Sequence, residues 1–336
     1  HCPVLHADTQ NKASPSCYAI WMRENYRIQG SSGGVFPALA EYFLNNGGIV
    51  FGASLYKKGG IFVCQHIAVE TIEQLPQICR SKYVESDLGN CFAQIEEYLR
   101  SGRQVLFSGT PCQIAALNNT FSNKENLYTV DIICHGVPSQ TMLNDYLSEN
   151  FSLDEITSLD FRPPEAGWRC DMLAVNFTDG SRRLLDIDSC SYEFAFHHNA
   201  SLRYSCYHCP FAKVPRQSDL TLGDFWGIEG YRPSWNDNKG TSMVLCNSSK
   251  GNAMLQNLNS KILRQEQVPL HLAQVNRVHQ AIPGKEKRMR LDVLQQKYGF
   301  TEAAKIVSKD HFDIGLIGCW TVENHGSNMT YYALYS

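Results

Sequence analysis

Four cysteines stand where a metal centre would want thiolates: Cys112 in Ser-Gly-Thr-Pro-Cys-Gln, Cys134 in Asp-Ile-Ile-Cys-His-Gly, and Cys206 and Cys209 in Cys-Tyr-His-Cys-Pro. A two-residue gap lets two thiolates turn back on one centre while the intervening amides point at the sulfurs. The same four side chains could grip an iron–sulfur cluster or a zinc ion, and the close pair alone could act as a redox dithiol. The dithiol fits least, because no βαβ redox motif frames the pair. Cys112 falls in the first turn of an expected helix, where the dipole favours a thiolate, and a buried packing cysteine is the competing role there. His135 and His208 adjoin these positions as outer partners more readily than as ligands.

Two glycine-bearing loops could hold phosphate. Ser31-Ser32-Gly33-Gly34 opens a helix whose first amides lack partners. A serine N-cap beside flexible glycines, worth about 0.5–2 kcal/mol, would leave the same trace. Ser108-Gly109-Thr110-Pro111 lies between an apolar strand and a helix, at the carboxyl edge where open α/β sheets bind ligands. Lys82 and Tyr83 could offer a cation and an aromatic face to a flavin or its phosphate, although such pairs are commonplace. Asp219 and Asp224 flank a strand, and either accept a bond from a cofactor or fix a turn. Trp168 and Trp226 read as packing residues.

Rigid elements must hold these side chains, and 336 residues suffice for a full core. The pattern predicts a helix over 35–46, strands over 49–56 and 61–69, and then alternation: helix 91–100, strand 104–107, a helix from Cys112, strand 127–133, helix 139–150. Strands follow at 156–161, 173–177, 182–187, 218–224 and 242–246, with helices at 251–263 and 285–298. The fold class is α/β with an α+β N-terminal portion: a mixed sheet core, helices on both faces and a cysteine-rich cluster-binding region. A net charge of −3 gives no reason to expect nucleic acid as a partner. Thirteen cysteines, odd in number and irregular in spacing, point to a reducing cytoplasm. No apolar run is long enough for a membrane span.

As an ordered set, Arg27-Ile-Gln-Gly-Ser-Ser-Gly-Gly, Ser-Lys-Tyr, Leu-Phe-Ser-Gly-Thr-Pro-Cys-Gln, Ile-Cys-His-Gly-Val-Pro, Ser-Cys-Tyr-His-Cys-Pro and Ser-Asp-Leu-Thr-Leu-Gly-Asp-Phe-Trp-Gly resemble the coenzyme F420 hydrogenase/dehydrogenase beta-subunit family over about residues 16–250. That resemblance implies FAD and a [4Fe-4S] cluster as cofactors, with Cys112, Cys134, Cys206 and Cys209 as the cluster ligands. It implies a cytoplasmic oxidoreductase whose partners are a ferredoxin module or separate ferredoxin and a small-molecule redox substrate. Cofactor-binding candidates are Ser31, Ser32, Gly33, Gly34, Lys82, Tyr83, Ser108, Gly109, Thr110 and Pro111; no catalytic residue is assigned. Cys2-Pro3 resembles the close of a ferredoxin motif, and Asp313 to Leu334 is similar to the opening of polysaccharide pyruvyl transferase domains. Both ends read as cut. The expected division is a ferredoxin-like remnant over 1–15, an α+β part over 16–100, an α/β FAD and iron–sulfur part over 101–305, and a truncated transferase start over 311–336. A zinc-bearing platform for a glycan-modifying transferase is the alternative.

Overall fold

The computed structural model describes residues 14–121, 125–276 and 280–307. The strands are β1 (Ser16–Met22), β2 (Ile49–Lys58), β3 (Ile61–Val69), β4 (Val105–Gly109), β5 (Leu127–Ile132), β6 (Ile156–Phe161), β7 (Leu173–Phe177), β8 (Arg182–Leu185), β9 (Leu220–Asp224), β10 (Ser242–Cys246) and β11 (Ile262–Val268). The helices include α1 (Glu24–Gln29), α2 (Val35–Asn45), α3 (Cys91–Arg100), α4 (Pro111–Thr120), α5 (Gln140–Asn150), α6 (Ser191–His197), α7 (Ile228–Tyr231), α8 (Ser249–Gln256) and α9 (Lys285–Tyr298). Of the ferredoxin-like stretch expected at 1–15, residues 1–13 lie outside the described residues, as does all of the transferase-like stretch expected at 311–336.

One sheet has the order β11-β1-β10-β9-β5-β4-β2-β3. Its centre, β9, β5, β4 and β2, is parallel, and antiparallel strands extend it at both sides. The sheet therefore draws strands from both sides of residue 100. Central strands are apolar toward both faces, as a doubly covered sheet requires. Val50 and Leu106 pack with α2 and α8, while Phe51 and Phe107 pack with α3 and α4 on the opposite face. Each such burial contributes roughly 1.5–3 kcal/mol. A second sheet, β6-β7-β8, shares a core with α5, α6 and α9.

Residues 251–263 are not the single helix expected. Helix α8 ends at Gln256, a short turn covers Asn259–Lys261, and β11 begins at Ile262. Leu263, Arg264 and Gln265 are good helix formers, but this stretch pairs with β1 at the sheet edge and alternates in burial, so tertiary pairing overrides propensity. Strand β1 and helix α6 carry no expectation from the sequence. Among the described residues no helix is long and apolar enough to cross a membrane.

Candidate metal centre and cofactor cleft

Cys112 occupies the first turn of α4, after the strand-to-helix turn that leaves β4. Thr110 is the N-cap, Pro111 opens the helix, and Thr110 and Gln113 form a capping box. The Thr110 N–H donates to Gln113 Oε1 at 2.9 Å, and Thr110 Oγ1 lies 3.2 Å from Cys112 Sγ. Cys112 is exposed. Strand β5 is the parallel neighbour of β4, and Cys134 follows β5 at the same edge of the sheet. The first two cysteines thus share a crevice mouth.

The later pair arrives from far along the chain. Cys206 lies in the short helix Tyr204–His208, and Cys209 follows it. The Arg203 N–H donates to Val137 O at 2.9 Å, and Pro138 and Leu202 form an isolated antiparallel bridge. Gly136 makes this approach possible, because a Cβ there would stand 3.1 Å from Cys206 Cβ.

Cys134, Cys206 and Cys209 each respond to burial first and then to other sulfurs of the set. Burial pushes the Cys134 thiol up, and Cys112, Cys206 and Cys209 push it further while the Gly136 N–H opposes them. Burial also raises Cys206, with Cys112 and Cys209 adding to it and a hydrogen bond from Val137 opposing. Cys209 is raised by burial and by Cys112, against hydrogen bonds from Phe211 and Ala212 and the charge of Arg216. Backbone donors therefore already point at three of the four sulfurs, an arrangement that stabilises thiolate.

Arg216 joins the Cys209 loop to β5, and nothing local in the sequence marks it. Its guanidinium donates to Phe211 O at 3.2 Å, Ile132 O at 3.0 Å and Asp131 Oδ2 at 3.0 Å. Both partners of the ion pair are buried. Asp131 sits three residues before Cys134 and Phe211 two after Cys209, so this staple fixes the distance between two cysteine segments.

A cleft of about 450 Å³ is lined in part by Tyr56, Ile67, Cys79, Arg80, Ser81 and Lys82. Burial lowers the Lys82 ammonium to about 8, against the neighbouring Cys79 and Cys64 thiols. Lys82 Nζ donates to the carbonyls of Cys79 and, at 3.3 Å, Arg80. Ser31 reaches this cleft through Ser81, whose N–H donates to Ser31 Oγ at 2.8 Å. Ser32, Gly33, Gly34 and residues 108–111 are not among its lining residues. Gly33 instead allows close packing, since a Cβ there would lie 2.2 Å from Ile20 O and 2.6 Å from Ser242 N.

One short segment links cleft to cysteines. Lys82 faces the cleft, Tyr83 stacks on Phe196 at 4.6 Å and packs in the cluster that Cys206 also touches. The Glu85 N–H then donates to Pro138 O at 2.8 Å, and Glu85 pairs with Arg203. Behind Tyr83, Arg162 binds Asp224 Oδ2 at 2.5 Å and Trp168 Nε1 donates to Asp224 Oδ1 at 2.6 Å. Asp224 is thus committed to protein partners. Asp219 likewise accepts from Thr129 N, Thr129 Oγ1 and Ser248 Oγ. Trp168 stacks on Trp226 at 4.8 Å.

The family model for the C-terminal part of the coenzyme F420 hydrogenase/dehydrogenase beta subunit matches residues 102–269, half of the chain. No curated protein matches. Among solved structures, a chain of the xenon-derivatised F420-reducing [NiFe] hydrogenase complex from Methanosarcina barkeri aligns with a TM-score of 0.53 and 17% identity, over 94% of this chain and 97% of that one. At that identity the likeness is one of fold.

Proposed function

The chain belongs to the coenzyme F420 hydrogenase/dehydrogenase beta-subunit family, and from that premise we propose that it is an oxidoreductase module using FAD and a [4Fe-4S] cluster to pass electrons between a ferredoxin-type partner and a small-molecule two-electron substrate. The observation that carries this reading is the convergence of the segments bearing Cys112, Cys134, Cys206 and Cys209, through the parallel pairing of β4 with β5 and the close contact of Gly136 with Cys206. Bound there, the cluster would carry single electrons and the flavin electron pairs with a proton.

The residues suit the cluster. A tetrahedral zinc needs sulfurs about 3.8 Å apart, given Zn–S bonds of about 2.3 Å. Among the described residues no three His, Cys, Asp or Glu side chains are grouped to hold one ion, yet these thiols interact electrostatically. Membership of the F420 hydrogenase/dehydrogenase beta-subunit family favours an iron–sulfur cluster over zinc. Amides from residues 136, 137, 211 and 212 supply donors to the sulfurs, a common means of tuning such clusters.

The cleft has the volume of a ring-binding site. Lys82 would hold positive charge against an electron-rich ring or phosphate, Ser31 and Ser81 would donate hydroxyls, and Tyr83 would separate this site from the cysteines. The loop at Ser108 would position Cys112. The same proposal includes a fused polysaccharide pyruvyl transferase in surface-glycan synthesis, supported by residues 313–334 of the sequence.

Iron, sulfide, zinc and flavin analysis of anaerobically purified protein tests the reading. Brown protein with about four irons and one flavin per chain is expected, and Cys209→Ser should lose most of the iron. Colourless protein with stoichiometric zinc would overturn it.

A further inference from the structure

Helix α9 leans on the cysteine-bearing segment and turns an unusual ridge outward. Arg288 donates to the carbonyls of Leu202 and, at 3.3 Å, Ser201. The Tyr204 hydroxyl donates to Asp292 Oδ2 at 2.7 Å, so positions 288 and 292 face the segment that carries Cys206. One residue further round, Lys285, Met289, Val293 and Lys297 recur at four-residue spacing and are all exposed. Such positions stack along one line of a helix. Met289 is 51% and Val293 69% exposed, and Tyr204 nearby is 42% exposed.

The charge around this ridge opposes that of the whole chain. The net charge is −3, but His197 to Ser218 contains no Asp or Glu and carries Lys213 and, paired with Glu85, Arg203 at its surface, Arg216 being buried against Asp131. Residues 285–290, Lys-Glu-Lys-Arg-Met-Arg, add further cations. An apolar centre flanked by cations suits a small, transient contact, in which charge speeds encounter and a few apolar side chains hold the partner briefly.

We propose that the Lys285–Met289–Val293–Lys297 ridge is the docking surface for an acidic electron-carrier protein, seated beside Tyr204 and the Cys206–Cys209 segment. This rests on the reading of those cysteines as a redox centre. The sign of the local charge selects the occupant: an acidic carrier is attracted, whereas a basic carrier is repelled.

The full chain, prepared anaerobically, is titrated with an acidic plant-type [2Fe-2S] ferredoxin at low and high salt, with iron measured on each sample. Binding that weakens with salt is expected. Lys285→Glu with Lys297→Glu should raise Kd at least about tenfold and flatten the salt dependence, and Met289→Ala with Val293→Ala should raise it several-fold. Thermal midpoints and iron content should stay at wild-type values in both. Lys285→Gln with Lys297→Gln gives a gentler change of the same sign, should charge reversal disturb folding. Unchanged ferredoxin affinity in iron-replete variants overturns the docking surface alone, as would loss of self-association in place of loss of ferredoxin binding. An iron-free wild type overturns the redox reading beneath it.

Discussion

Gly136 and Cys206 meet so closely that a Cβ on the glycine would lie 3.1 Å from Cys206 Cβ and 2.8 Å from Leu202 Cδ1. Its φ of 118° is also one that L residues avoid. Gly136→Ala should therefore force apart the segments bearing Cys134 and Cys206. Iron per chain is expected to fall by about half or more, with a stability cost of about 1–3 kcal/mol from backbone strain. Iron analysis and urea unfolding read the two effects separately. Full iron retention would show that this contact does not set the spacing of the cysteines.

Arg216 offers a test that does not involve a sulfur. Arg216→Met leaves the Asp131 carboxylate buried without its cation, and such an uncompensated charge costs about 3–5 kcal/mol. Adding Asp131→Leu should recover most of the loss, because removing both charges removes the unpaired one. Urea unfolding of the two variants measures this. A single variant within about 1 kcal/mol of wild type would mean that the staple bears no load.

The sequence shows the parts of this site that are local and hides those that depend on distant contacts. The two-residue gap of Cys206 and Cys209 is visible directly, and Cys112 and Cys134 can be placed at strand ends because Val105, Leu106 and Phe107 lead into Ser108-Gly109, and Val130, Ile132 and Ile133 lead into Cys134. Arg216 and Asp131 are 85 positions apart, and Arg162 and Asp224 are 62 apart; neither pair leaves a local signal. The glycines at 33 and 34 illustrate the opposite difficulty. Their sequence suits a phosphate loop, but the space at Gly33 is taken by the backbones of β1 and β10, a packing demand that produces the same residue choice. Edge strand β11 was hidden for a third reason: Leu, Arg and Gln favour helix, and only pairing with β1 reveals the strand.

Lys82 gives the cleft a pH response. With its ammonium lowered to about 8 by burial, it is charged below that pH and neutral above it. FAD affinity should then fall up to about tenfold between pH 7 and pH 9, and Lys82→Met should bind weakly with a flat profile. The stability sign is opposite. Between about 8 and 10.5 the unfolded chain holds the proton that the folded chain has released, so stability rises with pH in that window. Flavin fluorescence titration at the two pH values checks the first effect; parallel profiles for wild type and Lys82→Met would remove Lys82 from the site.

His66 sets an acid limit on the strand end that leads to Cys112. Its Nε2 donates to Ser108 O at 2.9 Å, its Nδ1 accepts from Ser86 Oγ at 2.9 Å, and its ring stacks on Phe107 at 5.1 Å. Burial lowers it from 6.5 to about 4, so the folded chain keeps it neutral while the unfolded chain protonates it. The unfolded state binds more protons between those values, and stability falls as pH drops through that window. Wild type should lose about 2 kcal/mol from this group between pH 7.5 and pH 5. Protonation would also turn Nδ1 into a donor and break the bond from Ser86, loosening Ser108 at the end of β4. Urea midpoints at the two pH values for wild type and His66→Gln isolate the contribution, since the remaining titratable groups are the same in both. An equal pH dependence in the two proteins would show that the imidazole is charged in the folded chain, and the neutral bridge between Ser86 and Ser108 would have to be abandoned.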